Sequence, residues 1–450
     1  MDVVNPASGV TFATAPRADA GQAEQAIASA RRAFPDWAAL GFPARRRYIR
    51  DFADAMRSRS DDLARLLTME QGKPLHEARQ EVAGAIAAID HYADLELVPR
   101  VLRETTNERI IEQRYPLGVV AAITPWNYPL LLLMVKLAPA LVTGNAVIAK
   151  PAPTTPLTTL LLGEIAADIL PAGVFQTLTD RNDLGELLSR HPGVAHVSFT
   201  GSTPTGKKVL GSAAGTLKRF TLELGGNDAA LILDDADIVS VAPRIFAGAT
   251  ANAGQICLAI KRVYAPRSMI DTLCAELARL AGEAVVGDGM DTATTIGPIQ
   301  NREQFAKVQA FIEEARKHGS IVAGGEALPG PGYFIAPTIV RGLSDNARLV
   351  REEQFGPVLP VLAYDDLDEA IARINDSEYG LGGSVWSADV ERGIAVASRI
   401  ESGTVWVNKH LELPFDVPFG GAKQSGIGRQ QGIEGMEDFT QPRIINVALA

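Results

Sequence analysis

Two cysteines occur in 450 residues, and one of them, Cys257, closes the run Asn252-Ala-Gly-Gln-Ile-Cys257. The Gly254-Gln255 pair ahead of it favours a turn, so the thiol is expected on a loop and not inside a helix or strand. Upstream, Glu223 lies in Thr221-Leu-Glu-Leu-Gly-Gly226, a strand-like stretch that ends in two glycines. A loop thiol and a carboxylate of this kind supply what covalent catalysis needs: a nucleophile, and a base that activates water against the adduct. The ordinary fate of a free cysteine is to be a small buried hydrophobe, so this pair counts as a site only in company.

Further motifs supply that company. An apolar run at 195–199 leads into Gly201-Ser-Thr-Pro-Thr-Gly206-Lys207-Lys208 and then a helical pattern. A glycine turn between strand and helix offers backbone N–H groups and a positive dipole end to a phosphate. The pattern approaches a nucleotide-hydrolysing P-loop but fails at its last position, where Lys208 replaces the hydroxyl that would hold Mg²⁺. The pyrophosphate of a dinucleotide needs no such metal and suits the turn as written. Thr124-Pro-Trp-Asn127-Tyr-Pro129 joins a strand to a helix; Asn127 could be a helix cap or an amide donor to an oxyanion. Lys150 ends another apolar run, where ligands collect in α/β sheets, although a strand-end lysine is usually just exposed. Glu352-Glu353-Gln-Phe355-Gly-Pro357 reads as a turn before a strand.

These motifs need a scaffold, and the chain supplies β-α repetition. Strands are expected at 119–123, 146–149, 175–178, 195–199 and 220–224, with helices at 130–142, 156–169, 184–190 and 204–214 between them. That alternation implies a parallel sheet covered by helices. The first hundred residues are mainly helical, at 22–34, 44–57, 60–72 and 75–92. A second series follows at 229–233, 262–265, 335–340, 358–362 and 403–407, giving two α/β lobes with a ligand cleft between them. Two apolar strands, 109–115 and 443–447, belong to neither series.

Composition narrows the class. A net charge of −10 lacks the basic footprint of a nucleic-acid binder. Hydrophobic content of 46% with 21% charged residues is ordinary for a soluble enzyme. Two cysteines make no disulfide framework and suit a reducing compartment. No secretory leader is evident at Met1-Asp-Val-Val-Asn-Pro6. The stretch from Pro116 to Val135 carries no charge, but Pro125, Asn127 and Pro129 would leave backbone groups unpaired in lipid. No membrane association is expected, and the expected compartment is the cytoplasm.

Together the motifs resemble the aldehyde dehydrogenase superfamily across nearly the whole chain. Asn5-Pro-Ala-Ser-Gly9, Val405-Trp-Val-Asn408 and Pro418-Phe-Gly-Gly-Ala-Lys-Gln-Ser-Gly426 add to the match. The resemblance implies a Rossmann-like dinucleotide-binding lobe (1–97 and 118–224) and an α/β catalytic lobe (225–424, with 425–440 returning to the cofactor lobe). It also implies a small β oligomerisation arm (98–117 and 441–450), which would take in the two orphan strands of a homodimer or homotetramer. By resemblance Cys257 is the nucleophile, Glu223 the base and Asn127 the oxyanion donor. Thr124, Pro125, Trp126, Lys150, Gly201, Ser202, Leu224, Glu353 and Phe355 match cofactor contacts for NAD, with NADP possible; no metal is implied. A glutamate at 223 favours hydrolysis to the acid over acyl transfer to coenzyme A, the alternative.

Departures from the family concern the periphery. Pro153 stands where a glutamate often binds the adenosine ribose, and Thr179-Asp180-Arg181 replaces a stretch that usually carries two glycines. Ile433 occupies a frequent glutamate position, with Glu434 adjacent. For the substrate, the resemblance points Leu132, Val135, Ile256, Leu258 and Leu413 at the aldehyde. Relatives acting on succinate semialdehyde carry an arginine at the Val135 position, and no aromatic cage or acid is evident for a cationic aldehyde. A medium-chain aliphatic or aromatic aldehyde is expected.

Overall fold

Short apolar runs after residue 118 pair into two parallel sheets, in a computed structural model that describes residues 1–449. The first sheet has the order Gly426–Ile427, Arg219–Glu223, His196–Thr200, Val119–Ile123, Ala146–Lys150, Phe175–Thr177. Its strands are parallel except the first, which returns from late in the chain and lies antiparallel to Arg219–Glu223. Three inner strands, His196–Thr200, Val119–Ile123 and Ala146–Lys150, are buried at every position, and the last two are almost wholly apolar in sequence. Register sets Ile123 opposite Lys150 and Phe199, and Thr200 opposite Glu223, so their carboxyl ends form one edge.

The charge-free stretch becomes the buried strand Val119–Ile123 and the start of helix Pro129–Val142. Among the described residues no helix is long and apolar enough to cross a membrane. Four helices, Ala20–Ala39, Phe42–Ser58, Ser60–Gln71 and Leu75–Asp94, precede this sheet. The first begins earlier than expected because Asp19 and Gln22 form a reciprocal capping box. It also runs past Pro35, where its last turn is anchored by buried Trp37, whose Nε1 donates to the Leu141 carbonyl at 3.0 Å.

The second sheet runs Ser320–Ala323, Thr338–Arg341, Val358–Tyr364, Ile260–Pro266, Asp228–Ile232, Gly382–Trp386, Thr404–Val407. Only Ser320–Ala323 is antiparallel. The strand expected at 335–340 shrinks because Pro337 offers no N–H; Ile335 makes only an isolated bridge to Ala327. Gly382–Trp386 was not anticipated, since a Gly-Gly start reads as a loop. The glycine is required there: a Cβ on Gly382 would lie 2.3 Å from Asp228 Oδ2. The two orphan strands pair with each other, Thr440–Ala448 against Glu108–Pro116, and Arg100–Glu104 completes a separate three-stranded antiparallel sheet.

The return of the chain to the first sheet depends on one close backbone contact. A Cβ on Gly403 would sit 1.7 Å from the Gly420 carbonyl oxygen. Gly403→Ala is therefore expected to cost about 3 kcal/mol, the upper range for overpacking. A urea unfolding midpoint within error of the parent would contradict that packing.

Candidate active site

Strand Arg219–Glu223 carries its last residue into the interior at the shared carboxyl edge. Glu223 is 4% exposed, and neither carboxylate oxygen has a hydrogen-bond partner among the described residues. Burial pushes its pKa up to about 8, with the nearby Lys136 ammonium pulling the other way. Buried carboxylates are almost always satisfied, so an orphan with a pKa near neutrality marks a group held ready for proton transfer. Lys136 comes from the helix Pro129–Val142, is fully buried, and donates to Thr200 Oγ1 at 2.6 Å. Burial drops its pKa to about 7, while the charges of Glu223 and Cys257 raise it. The charges of the three groups therefore act on one another.

Cys257 follows a backbone turn that L-residues disfavour. Asn252, Ala253 and Gly254 have φ of +49°, +55° and +72°. The two non-glycine residues each cost about 1–3 kcal/mol, so the surroundings must hold them. Asn252 does much of this: its Oδ1 accepts from Gln71 Nε2 at 3.0 Å and its Nδ2 donates to the Asn127 carbonyl at 3.0 Å. Its backbone N–H donates to the Glu77 carboxylate at 3.1 Å. Gln255, fully buried, donates to the Asn252 carbonyl at 2.9 Å and accepts from Gln300 N at 2.9 Å. Beyond the cysteine, the buried Lys261 ammonium donates to the carbonyls of Ile256 at 2.9 Å and Cys257 at 2.6 Å.

The residue Cys257 is half-buried. Burial pushes its pKa up to about 12; Lys261 opposes this, and Glu353, Asp228 and Glu223 add to it. At neutral pH the resting sulfur is a thiol and needs a proton acceptor before it can attack. The Cys257 backbone N–H has no protein acceptor among the described residues. Asn127 donates one amide hydrogen to the Gln255 carbonyl at 2.8 Å, which leaves its second free. Two spare donors beside a thiol can hold an oxyanion.

Asn127 is fixed from behind by a buried ion pair. Lys73 Nζ lies 2.5 Å from Glu81 Oε2 and donates to the Asn127 carbonyl at 2.9 Å. The same ammonium sits 3.5 Å from the centre of the Tyr128 ring. The other Glu81 oxygen accepts from the Leu130 and Leu131 N–H groups at 2.9 and 3.1 Å, capping the helix with negative charge.

The expected cofactor residues gather along the first sheet's carboxyl edge and across the cleft from it. Thr124 is buried with an unpartnered hydroxyl, and Trp126 packs edge-on against Phe355 at 5.3 Å. Gly201 and Ser202 turn into helix Thr203–Ala213, which packs so closely on Leu224 that a Cβ on Gly206 would meet it at 2.4 Å. Lys207 and Lys208 are exposed and turn away from that loop. Glu353 Oε1 accepts from Gly226 N at 3.1 Å and lies 3.4 Å from Lys261 Nζ. Lys150 Nζ lies 2.8 Å from Asp180 Oδ1, and Pro125 precedes Trp126 in the connecting turn. An amide-lined turn at a helix start, an open hydroxyl and an aromatic pair fit a dinucleotide.

Of the five apolar residues expected at the substrate, Ile256, Leu258 and Leu413 cluster with Cys257, together with Leu381, Trp406, Phe419, Tyr128 and Leu411. Val135 and the partly buried Leu132 pack against the helical core built on Trp37, Phe52 and Tyr92. Ile433 and Glu434 are both exposed. Sequence reasoning missed Lys73, Glu81, Asn252, Gln255 and Lys261 as parts of the site. Only Lys136 left a trace, as the charge that ends an otherwise uncharged run.

Comparisons with known proteins agree with this geometry. The sequence profile of the Aldehyde dehydrogenase family matches residues 1–445. A betaine aldehyde dehydrogenase of Rhizobium leguminosarum bv. trifolii is 39% identical, across 100% of this chain and 94% of its own length. An Escherichia coli NADP-dependent enzyme superposes with a TM-score of 0.97 at 36% identity, covering 100% of this chain and 94% of that one. A Staphylococcus aureus betaine aldehyde dehydrogenase in complex with NAD⁺ gives 0.97 at 33% identity, covering 100% and 92%.

Removing one member of the buried pair behind Asn127 strands the other. Lys73→Met is expected to destabilise the protein by about 3–5 kcal/mol, the range for breaking a buried ion pair. Lys73→Arg, which keeps the charge, is expected to lose less. Equal losses in the two variants, measured by chemical denaturation, would show that charge at this position does not matter.

Proposed function

The chain belongs to the aldehyde dehydrogenase family and is an NAD(P)-dependent aldehyde dehydrogenase, and on that premise we propose that Cys257 attacks the aldehyde, with Glu223 as base and Asn127 as oxyanion donor. The observation that carries this reading is the buried Glu223 carboxylate, which has no hydrogen-bond partner and whose charge acts on Cys257. Glu223 takes the thiol proton, directly or through water, and the sulfur adds to the carbonyl carbon to give a thiohemiacetal. The free Asn127 amide hydrogen and the Cys257 N–H hold its oxygen, each donor worth about 3–4 kcal/mol. A bound nicotinamide dinucleotide supplies the hydride acceptor. Thr124, Pro125, Trp126, Lys150, Gly201, Ser202, Leu224, Glu353 and Phe355 would hold it. Loss of hydride leaves a thioester on Cys257. Glu223 passes the thiol proton on to solvent and, ionised again, deprotonates water, which adds to the thioester; the proton returns from Glu223 to the departing sulfur, releasing the carboxylic acid and the thiol. Hydrolysis is favoured over transfer to coenzyme A because a base is already in place.

For the substrate we propose an uncharged, apolar aldehyde. Ile256, Leu258, Leu413 and Phe419 offer hydrocarbon around the sulfur, and each methylene buried there contributes about 0.8 kcal/mol. Tyr128, one of three aromatic residues in the cluster with Cys257, already carries the Lys73 ammonium at 3.5 Å, which disfavours a second cation on that ring. Relatives named for betaine aldehyde make the quaternary ammonium aldehyde the decisive competitor. The three-stranded sheet exposes Val101, Leu102, Tyr115, Ile444 and Ile445, and suits pairing with another subunit of a homodimer or homotetramer.

Cys257→Ala is expected to abolish oxidation while still binding NAD⁺, and Asn127→Ala to lower kcat about 10²–10³-fold. Glu223→Gln is expected to accumulate acyl-enzyme visible by mass spectrometry. A carboxyl that titrates at about 8 is protonated below that pH, so thioester hydrolysis should rise with pH and level off above it. A pH-independent hydrolysis rate from 6 to 9 in the parent enzyme would remove Glu223 from the role. In a substrate panel, hexanal and benzaldehyde should exceed betaine aldehyde and succinate semialdehyde in kcat/KM; the reverse order would sink the apolar assignment.

A further inference from the structure

The segment after strand Phe175–Thr177 folds over the end of strand Ala146–Lys150 and closes on the lysine there. Lys150 Nζ lies 2.8 Å from Asp180 Oδ1, 3.3 Å from Asn182 Oδ1 and 3.5 Å from the Pro151 carbonyl. The first contact is an ion pair, and the ammonium donates to the other two oxygens. Asp180 is fully buried and its other oxygen accepts from Leu184 N at 2.7 Å, so the carboxylate is locked in place at the head of the next helix. The loop is pinned further by Thr179, whose hydroxyl donates to the Pro16 carbonyl at 2.7 Å and whose carbonyl accepts from Ala18 N at 2.8 Å. Asn182 adopts φ +64°, which swings its amide oxygen toward the lysine. Arg181 and Asp183 face solvent, and Asp183 pairs with Arg17.

Lys150 stands level with Ile123 at the carboxyl edge where a dinucleotide would lie. In such folds the charge at a neighbouring strand end reads the 2′ position of the adenosine ribose: an acid suits the free hydroxyl, a cation the 2′-phosphate. We propose that Asp180 is the specificity-determining residue for the cofactor, tying up the Lys150 ammonium so that NAD⁺ is preferred over NADP⁺. The proposal rests on the assignment of Lys150 to the cofactor site above. With Asp180 in place, a 2′-phosphate meets a lysine whose charge is balanced and a carboxylate that repels it, while the lysine can still donate to a ribose hydroxyl. Pro153, the nearest alternative position for a discriminating acid, carries no charge, so the discrimination falls to Asp180.

Dissociation constants for NAD⁺ and NADP⁺, measured by titration calorimetry on a Cys257→Ala background, test this without turnover. The background is expected to bind NAD⁺ at least tenfold more tightly than NADP⁺. Adding Asp180→Asn is expected to shift that ratio tenfold or more towards NADP⁺, with the shift shrinking at high salt. Asp180→Gly, which leaves no side chain to bury, should do the same and serves if the amide variant folds poorly. Asp180→Glu, retaining the charge, should keep most of the preference. A ratio unchanged within twofold in both Asp180→Asn and Asp180→Gly would overturn the inference while leaving the cofactor site standing. Failure of the background protein to bind either nucleotide would overturn the cofactor assignment, and this inference with it.

Discussion

The loop that presents Cys257 is held in a conformation its own backbone disfavours, and the side chains that hold it come from segments far apart in the chain. Asn252 and Ala253 sit at positive φ. Asn252 alone bridges Gln71, Glu77 and Asn127 through both ends of its amide and its N–H. The sulfur's position therefore depends on the helices before the first sheet as much as on the lobe that carries it. Because the same Asn127 carbonyl also accepts from Lys73, the oxyanion donor and the nucleophile loop share one anchor. A shift in one is transmitted to the other without any movement of the sheets.

Three buried lysines in this region have carboxylate partners: Lys73 is paired with Glu81, Lys150 with Asp180, and Lys261 with Glu353. Each pairing meets the desolvation cost of a buried ion by a nearby opposite charge. Glu223 differs, with no hydrogen bond and only the more distant charges of Lys136 and Arg429 to favour its charged form. A carboxylate satisfied like the others would stay ionised but would be a poor base. Left unsatisfied, Glu223 titrates close to neutral pH, where it can both take and release a proton.

Much of this was legible in the residues. The strand pattern from 119 to 223 came through, because buried parallel strands such as Val119–Ile123 and Ala146–Lys150 are rich in apolar residues. Where it failed, a local rule had met a tertiary demand. Gly382–Trp386 looks like a loop until Asp228 Oδ2 is found beside Gly382, allowing no side chain. The helix after Asn127 is apolar on nearly every side, and Leu132 and Val135 pack against neighbouring helices. A continuous apolar run does not say which of two hydrophobic surroundings each residue joins.

The sequence by itself determined the kind of chemistry: a thiol in a glycine-led turn, a carboxylate at a strand end, an amide between two prolines and a phosphate-sized turn before a helix. Such features are local, and their physical meaning survives without coordinates. Only the tertiary structure decided which charged residues are buried and with whom. Lysines 73, 150 and 261 sit in stretches that would suit a solvated surface equally well, since lysine is usually exposed. Their partners Glu81, Asp180 and Glu353 lie at separations of 8, 30 and 92 residues, which no periodicity links. Burial and ion pairing between distant segments come from the closing of the fold, and they set the proton affinities on which the chemistry turns.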